Sequence, residues 1–305
     1  MTFALPTPVP HPEGIEESLR FHEVVSGDGT RLAGWTNDVE GPTVLVCNGL
    51  GVPAYAWPAL LTPDCGVHAI GWHQRGLGGS ERPLDPTRVG IDDFVADALA
   101  TMDAFGVEQC VVAGWSIGVN TMFELALRHP ERVSGLFAVA GVPGDTFGSL
   151  GGALPLPRPV RRALGRTVAR TLGEIARPLA WMQRPYDIPP AVGQLLTHSG
   201  FMLPSDDLAG LRRGVGQFMD MPLDWYMRMA VRASQHLGRP LTDIDIPTAF
   251  LAGRYDVLAR AAHQREAAAA IPHAEYDELP GSHFLTMEKP TAVHDRLLTF
   301  LEQVA

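Results

Sequence analysis

Short apolar runs alternate with longer amphipathic stretches along most of this 305-residue chain. The apolar runs have the length and β-branched content of strands, and they predict eight of them: Phe21–Val25, Arg31–Trp35, Thr43–Cys47, Val67–Trp72, Gln109–Ala113, Val133–Ala140, Thr248–Gly253 and Glu275–Leu279. Apolar residues at helical spacing predict four helices: Ile91–Phe105, Val119–Arg128, Ala259–Ala270 and Thr291–Gln303. The first two strands flank Ser26-Gly27-Asp28-Gly29, which predicts a hairpin. The alternation that follows predicts a mostly parallel sheet flanked by helices, with right-handed crossovers.

The alternation breaks in the middle of the chain. Between about Val142 and Pro240 the apolar strand runs disappear, and the sequence becomes helical and punctuated by prolines. A segment of this length is too long to be a loop in a compact domain. We therefore predict an α/β core formed by residues 1–141 and 241–305, beginning with an extended arm over residues 1–14. Residues 142–240 are predicted to form a helical cap inserted in that core.

The predicted cap is basic, whereas the rest of the chain is acidic. Residues 142–240 contain 12 arginines and seven acidic residues, a net charge of +5. Because the whole chain carries −10, the remainder carries −15. The basic part of the cap is Pro157–Ala180, where aliphatic residues follow one face of a helix and arginines another. We favour a helix docked on the acidic body, with contact to a membrane surface as the alternative.

The overall composition argues against several classes of partner. A net charge of −10 does not suit binding to nucleic acid, which needs a concentrated positive surface. Hydrophobic and charged fractions of 46% and 19% are ordinary for a soluble globular protein. No run approaches about 18 uninterrupted apolar residues, so no transmembrane segment is expected. The first residues lack the basic and apolar regions of a signal peptide, and a cytoplasmic location is therefore expected by default.

Neither a metal nor a cofactor is expected from the sequence. The three cysteines, Cys47, Cys65 and Cys110, have neither metal-ligand spacing nor the number needed for a disulfide framework. Cys47 and Cys110 fall in predicted strands, where buried small hydrophobes are the favoured interpretation. The glycine-rich stretch 76–79 lacks the helix-opening spacing of a phosphate-binding loop.

One pentapeptide combines a nucleophilic side chain with an unusual local context. The run Val111-Val112-Ala113 ends in Gly114-Trp115-Ser116-Ile117-Gly118, and the helix predicted from Val119 follows at once. A strand, a sharp turn and a helix are what a nucleophile elbow requires. Glycines at the two outer positions allow backbone to crowd around a strained turn that projects the Ser116 hydroxyl. We therefore predict Ser116 as a catalytic nucleophile.

A serine hydroxyl needs a base within hydrogen-bond reach and an acid that orients the base. The elbow predicts these partners in the chain order acid then histidine, each in a loop after a later strand. Asp256 follows the strand Thr248–Gly253, and His283 follows Glu275–Leu279. The rivals are Asp145 as the acid, because it follows the strand after the elbow, and His73 as the base, because it also ends a strand.

The tetrahedral intermediate of acyl transfer needs two preorganised N–H donors. The N–H of Ile117, directly after the nucleophile, is the first candidate. The second is the N–H of Leu50, in the loop Asn48-Gly49-Leu50-Gly51 that follows a predicted strand. We also expect Asn48, Gly49 and Trp115, which flank these positions, to bind the substrate.

These motifs together resemble the α/β-hydrolase superfamily with a helical cap, from Phe21 onward. The stretches that carry the resemblance are Val44–Leu50, Arg75-Gly76-Leu77-Gly78-Gly79-Ser80, Gly114–Gly118, Leu251–Asp256 and Gly281–Leu285 with Glu288-Lys289-Pro290. The resemblance implies an α/β-hydrolase fold and hydrolysis through an acyl-enzyme on Ser116. Two positions depart from the family pattern, Asn48 where histidine is usual and His73 where aspartate is usual. Asn48 is similar to the residue in enol-lactone hydrolases and intracellular polyhydroxyalkanoate depolymerases.

The expected function is therefore that of a serine esterase acting on an apolar small-molecule ester, lactone or thioester. Alternatives on the same triad are hydrolysis of a carbon–carbon bond in a vinylogous diketone and hydrolysis of an enol lactone. Relatives with an aspartate nucleophile, the epoxide hydrolases and haloalkane dehalogenases, are disfavoured because an alkyl-enzyme ester needs a carboxylate at position 116. An alternative of another class is a ligand-binding protein without catalysis, against which the complete set of serine, aspartate and histidine counts.

Overall fold

The computed structural model describes residues 19–144, 147, 156–177, 202–205 and 221–304. Eight strands form one sheet: β1 Arg20–Val25, β2 Arg31–Thr36, β3 Thr43–Cys47, β4 His68–Trp72, β5 Cys110–Trp115, β6 Val133–Val139, β7 Thr248–Gly253 and β8 Glu275–Leu279. The predicted eight-stranded sheet is therefore confirmed, with bounds that agree within two residues.

The sheet order is β1-β2-β4-β3-β5-β6-β7-β8. The pairs β1–β2 and β2–β4 are antiparallel, and every other neighbouring pair is parallel. Strand β5 lies at the centre, with Gly114 opposite Cys47 of β3 and Trp115 opposite Val139 of β6. The carboxyl ends of these parallel strands therefore meet at one edge, where open α/β sheets bind their ligands.

Seven α-helices are seen in the described residues: α1 Ile91–Ala104, α2 Gly118–Arg128, α3 Arg158–Ala176, α4 Leu223–Ala233, α5 Ala261–Ala269, α6 Leu285–Glu288 and α7 Pro290–Val304. Short 3-10 turns span Ala54–Ala56, Pro58–Leu61, Pro130–Arg132 and Leu241–Asp243. The predicted arm over residues 1–14 lies outside the described residues, as do residues 178–180 at the predicted end of the basic helix.

Two hydrophobic cores cover the two faces of the sheet. Alternate residues of β3 show the division, because Leu45 and Cys47 join one core and Val44 and Val46 the other. Buried residues of α1, α2 and α5 complete the first core. Helix α7 and the turns over 54–61 complete the second. The helices thus flank both faces, as the parallel strands require.

Strand β5 extends two residues beyond its predicted end, to Trp115. The reason is tertiary, because Trp115 pairs with Val139 of β6 and its side chain is 1% exposed in the second core. The apolar run that ends at Ala113 does not show that Trp115 pairs with Val139. The extension brings the strand directly to Ser116.

A buried ion pair joins the β1–β2 hairpin to helix α1. The guanidinium of Arg75 donates to both carboxylate oxygens of Asp97, at 2.7 to 3.1 Å, and both side chains are fully buried. In the turn of the hairpin, Ser26 and Asp28 also contact this guanidinium, at 3.0 and 2.5 Å. Burial alone would raise the pKa of Asp28, but hydrogen bonds from Arg75 and Thr30 outweigh it and lower the pKa to about 2.

Among the described residues, helix α3 packs mainly on α4 rather than on the acidic core that was predicted. Ala169 is buried there, and Gly173 lies so close to α4 that an added Cβ would be 3.2 Å from the Cβ of Met227. The side chain of Arg166 donates to Ser234, which follows α4. One core contact is present, because Arg158 lies 3.3 Å from Glu266. The aliphatic stripe is instead exposed, at Val160, Leu164, Val168, Leu172 and Ile175.

The packing of α3 has a simple cause. Small residues on one face let the two helices approach closely, and this leaves the larger aliphatic residues on the neighbouring face without cover. Contact between this helix and a membrane surface stays a prediction. No helix in the described part of the chain has the length and hydropathy needed to span a membrane.

We predict that Asp97→Ala destabilises the fold by about 3–5 kcal/mol, because it leaves a fully buried guanidinium without its main partner. Asp92→Ala is the matched control on the same helix. Its pair with Arg128 is 2.5 Å long, but its side chain is 78% exposed, so the loss should stay below about 1 kcal/mol. Urea unfolding at neutral pH measures both free energies of unfolding. Equal losses would contradict the assignment of Arg75 and Asp97 as the dominant buried pair.

Candidate active site

The candidate site begins at a strained turn between β5 and α2. Ser116 has a left-handed φ of 57°, which a residue with a side chain adopts only where the surroundings impose it. A Cβ at Gly118 would lie 1.9 Å from the carbonyl oxygen of Cys47, and one at Gly114 would lie 2.6 Å from the Sδ of Met122. The two glycines of the motif are therefore required by the close approach of β3 and α2. This turn has the geometry predicted for a nucleophile elbow.

Three side chains that are far apart in the chain meet beside this turn. The Nε2 atom of His283 lies 2.7 Å from the Oγ of Ser116, and its Nδ1 atom lies 2.9 Å from the Oδ2 of Asp256. Asp256 follows β7 and His283 follows β8, so each stands at the carboxyl end of a parallel strand. The structure therefore brings together the three residues predicted as nucleophile, base and acid. The rival acid, Asp145, lies outside the described residues.

The orientation of the Asp256 carboxylate is set by backbone donors. Its Oδ1 atom accepts hydrogen bonds from the N–H groups of Leu258 and Ala259, at 2.8 and 2.7 Å, which leaves Oδ2 for the imidazole. The side chain is fully buried. A carboxylate held in this way can fix the ring of His283 and stabilise its protonated form.

The loop that carries His283 is held by two neighbouring segments. The indole N–H of Trp115 donates to the carbonyl oxygen of His283 at 2.8 Å. The backbone N–H of Tyr255 donates to the carbonyl oxygen of Gly281 at 3.0 Å, which joins the aspartate loop to the histidine loop. The residue before the nucleophile thus braces the residue that would act as the base.

Loop 48–51 lies beside the turn of Ser116. A Cβ at Gly49 would be 3.5 Å from the Cβ of Ser116. In the described part of the chain, the N–H groups of Leu50 and Ile117 have no protein acceptor. The side chain of Gln74, which follows β4, holds this loop through its Oε1 atom, 2.8 Å from the N–H of Gly51. Gln74 is not predicted from the sequence, where its only signal is its place next to Arg75, just before the glycine-rich stretch.

Two residues predicted to bind substrate have side chains that are already engaged. The side chain of Asn48 is buried and accepts a hydrogen bond from the indole of Trp57 at 2.8 Å. Trp115 is buried and bonded to His283. Both side chains hold loops in the described part of the chain, and contact of either with the substrate stays a prediction. Gly49, in contrast, lies next to Ser116.

The rival histidine, His73, has a bracing position. Its Nδ1 atom lies 2.6 Å from the carbonyl oxygen of Gly78, and burial lowers the pKa of the ring. The imidazole therefore sits at the glycine-rich turn where the superfamily pattern has aspartate. In the part of the chain that the structure describes, the hydroxyl of Ser116 is hydrogen-bonded to His283 and not to His73.

Helix α4 and Met221, two residues before it, cover loop 48–51. A Cβ at Gly51 would be 2.3 Å from the Sδ of Met221 and 3.1 Å from the Cδ2 of Tyr226. Burial raises the pKa of Tyr226 to about 12, so the phenol is neutral. The indole N–H of Trp225 donates to the carbonyl oxygen of Arg75 at 2.8 Å, which attaches the helix to the core. Met221 and Tyr226 therefore cover this loop with uncharged side chains.

Among the described residues, no group of three or more histidine, cysteine or acidic side chains is arranged to hold a metal ion. The cysteines Cys47, Cys65 and Cys110 are buried free thiols. Burial raises the pKa of Cys110 to about 11, so this thiol is protonated at neutral pH.

A mostly parallel sheet with a serine, a histidine and an aspartate at the carboxyl ends of its strands defines the class of α/β hydrolases. The sequence profile of the α/β hydrolase fold matches residues 42–290, and this chain belongs to that family.

Known relatives and solved structures agree with this assignment. Epoxide hydrolase B of Mycobacterium tuberculosis (strain ATCC 25618 / H37Rv) is 29% identical over 145 residues, and this match covers 42% of this chain and only 40% of the relative. Epoxide hydrolase A of the same strain is 26% identical over 295 residues, which cover 85% of this chain and 90% of the relative. The enol-lactonase of Burkholderia xenovorans LB400 has a similar structure, with a TM-score of 0.68 and 23% identity. The match covers 92% of this chain and 100% of the enol-lactonase.

We predict that Gly118→Ala lowers stability by roughly 3 kcal/mol, because its Cβ would overlap the carbonyl oxygen of Cys47 and force the backbone apart. The matched control is Gly27→Ala in the hairpin turn, where an added Cβ meets no atom within 4 Å. Thermal and urea unfolding measure both variants. A Gly118→Ala protein as stable as the control would disprove the close approach of α2 to β3.

Proposed function

We propose that this protein is a serine hydrolase that cleaves a carboxylic ester, lactone or thioester of an apolar small molecule. One observation carries the proposal: the imidazole of His283 lies within hydrogen-bond distance of both the Ser116 hydroxyl and the Asp256 carboxylate. A serine hydroxyl becomes a nucleophile when a positioned base takes its proton, and the base must itself be oriented. In this proposal, the Nε2 atom of His283 takes the proton and the Oδ2 atom of Asp256 orients the imidazole.

In the proposed reaction, the Oγ of Ser116 attacks the carbonyl carbon of the ester while Nε2 of His283 takes the hydroxyl proton. The bond from the carbonyl carbon to the leaving alcohol oxygen then breaks, and the alcohol leaves with the proton from His283. The acyl group remains on Ser116. Water attacks this acyl-enzyme with His283 as the base, and the proton returns to Ser116 as the acid is released.

The N–H groups of Leu50 and Ile117 are the proposed donors to the oxyanion. Both flank Ser116, one from loop 48–51 and one from the start of α2, and within the described residues neither is used by another acceptor. Preorganised donors of this kind stabilise the charge that develops in the transition state. In this proposal Asn48, Trp57 and Gln74 act by holding loop 48–51 in place.

The substrate class follows from the apolar surroundings and from the nucleophile. Met221 and Tyr226 lie over loop 48–51 and offer no charge to a polar substrate. Residues 142–240 are proposed as the cap that closes over the edge of the sheet and shapes this pocket. Although epoxide hydrolases are among the relatives, residue 116 is a serine, and opening an epoxide to an alkyl-enzyme ester needs a carboxylate there. The name of the similar enol-lactonase supports lactones as candidates.

We predict that a fluorophosphonate probe labels the wild-type protein at Ser116 and that Ser116→Ala abolishes the labelling. The same pair should separate in hydrolysis of p-nitrophenyl esters of increasing acyl length, with no turnover above background in the variant. Asp256→Asn should lower kcat by about 10⁴-fold, because the imidazole loses the partner that orients it. Mass spectrometry of the labelled peptide and steady-state kinetics are the measurements.

A vinylogous diketone and an epoxide complete the substrate panel. Faster cleavage of the diketone than of any ester would replace ester hydrolysis by carbon–carbon bond hydrolysis on the same triad. A folded wild-type protein that is neither labelled nor active on the panel would reject the enzyme and favour a ligand-binding protein.

A further inference from the structure

A second buried carboxylate lies behind the histidine loop and has no part in the reaction described above. Glu288 ends helix α6, and its side chain is fully buried. Its Oε2 atom accepts a hydrogen bond from the N–H of Ser282 at 2.7 Å. Its Oε1 atom accepts one from the Oγ of Ser282 at 2.6 Å and one from the N–H of Leu203 at 2.7 Å.

A buried carboxylate is costly unless donors compensate the loss of water. Three donors converge on this one, two from Ser282 and one from Leu203. Two donors belong to Ser282, the residue directly before His283. The carboxylate therefore holds the histidine loop at the residue next to the imidazole. The hydroxyl of Ser282 also accepts a hydrogen bond from the N–H of Phe284. The residues on either side of His283 in the chain are therefore joined to each other.

The third donor comes from a different part of the molecule. Leu203 lies in segment 202–205, inside the stretch proposed as the cap. The same segment is attached a second time, because the Oγ of Ser205 donates to the carbonyl oxygen of Met287 at 2.5 Å. Met202, in the same segment, is buried in the second core. Glu288 therefore ties this segment to the residue next to the imidazole.

We propose that Glu288 is a positioning residue for His283, because it holds Ser282, the residue next to the imidazole, through two hydrogen bonds. The proposal rests on the proposed function, since it concerns the base of that reaction. The Nε2 atom of His283 must remain about 3 Å from the nucleophile, and a displacement of about 1 Å can cost 10²-fold in rate. A charged acceptor with three donors holds the loop more strongly than neutral hydrogen bonds do.

The test is Glu288→Gln, which keeps the size of the side chain but replaces one acceptor oxygen by an NH₂ group. That group faces at least one of the three N–H or O–H donors, so one hydrogen bond is replaced by a repulsive contact. We expect kcat for a p-nitrophenyl ester to fall by about 10- to 100-fold with little change in KM. The rate is expressed per active site, counted by exhaustive fluorophosphonate labelling, so that misfolded protein does not contribute.

Two further variants make the result specific. Ser282→Ala removes the hydroxyl that donates to Glu288 and accepts from the N–H of Phe284, and it should lower kcat per site by several-fold. Ser205→Ala is the matched control, because it removes a hydrogen bond between segment 202–205 and the same helix without touching the carboxylate, and it should keep kcat within about twofold of wild type. Where Glu288→Gln does not fold, Ser282→Ala against Ser205→Ala decides.

A spectroscopic measurement gives a readout that does not need turnover. The proton on Nδ1 of His283, hydrogen-bonded to Asp256, should give a downfield proton NMR resonance in the wild type. This resonance should broaden or shift in Glu288→Gln and remain unchanged in Ser205→Ala. A purely structural role for Glu288 would lower the unfolding temperature but leave both kcat per site and this resonance as in the wild type.

The possible outcomes separate the two proposals. An active, labelled wild type whose kcat per site is unchanged by Glu288→Gln and Ser282→Ala overturns the positioning role and leaves the proposed function intact. An equal loss of kcat in Ser205→Ala also overturns the positioning role. The loss would then follow from any weakening of the contact between segment 202–205 and helix α6, and not from the carboxylate of Glu288. A wild type without labelling and without hydrolysis overturns the proposed function itself.

Discussion

The close approach of three backbone segments around Ser116 is the constraint on which the rest of the site depends. Strand β3, the turn after β5 and the first residue of α2 are so near to each other that only glycine fits at positions 114 and 118. Gly141, after β6, completes the crowding, since a Cβ there would be 2.6 Å from the carbonyl oxygen of Ser116. The strained φ of Ser116 is held by this packing, and the hydroxyl is directed to the edge where β7 and β8 also end.

The second requirement is that the loops after β7 and β8 keep their places relative to that hydroxyl. Loops have few contacts of their own, so their positions are set by hydrogen bonds from buried neighbours. Trp115 and Tyr255 supply two of these bonds to the histidine loop, and Glu288 supplies an acceptor for two more. Ser116, His283 and Asp256 therefore lie on a shared hydrogen-bond network in which each loop stabilises the next.

The attachment of helix α4 links this network to the buried charges of the core. Trp225 bonds to the carbonyl oxygen of Arg75, whose guanidinium is held by Asp97 and the hairpin turn. The same helix and the residues before it press on Gly51 of loop 48–51. A buried ion pair at one side of the sheet thus supports the element that covers the site. Its contribution is specific placement more than stability, because two desolvated charges offset much of their own attraction.

The eight strands, the turn at Ser116, and Asp256 and His283 as the favoured partners over Asp145 and His73 could be predicted from the sequence, because strand periodicity, glycine spacing and chain order are local or ordinal signals. The sequence could not predict Gln74 and Glu288 as bracing residues, or that Asn48 and Trp115 hold loops, because a hydrogen-bond partner is chosen by packing between distant segments. The exposed stripe of α3 has the same origin. Amphipathic spacing identifies a helix with two faces, but only the tertiary structure decides which face finds a partner, and here the small residues allowed the closer approach to α4.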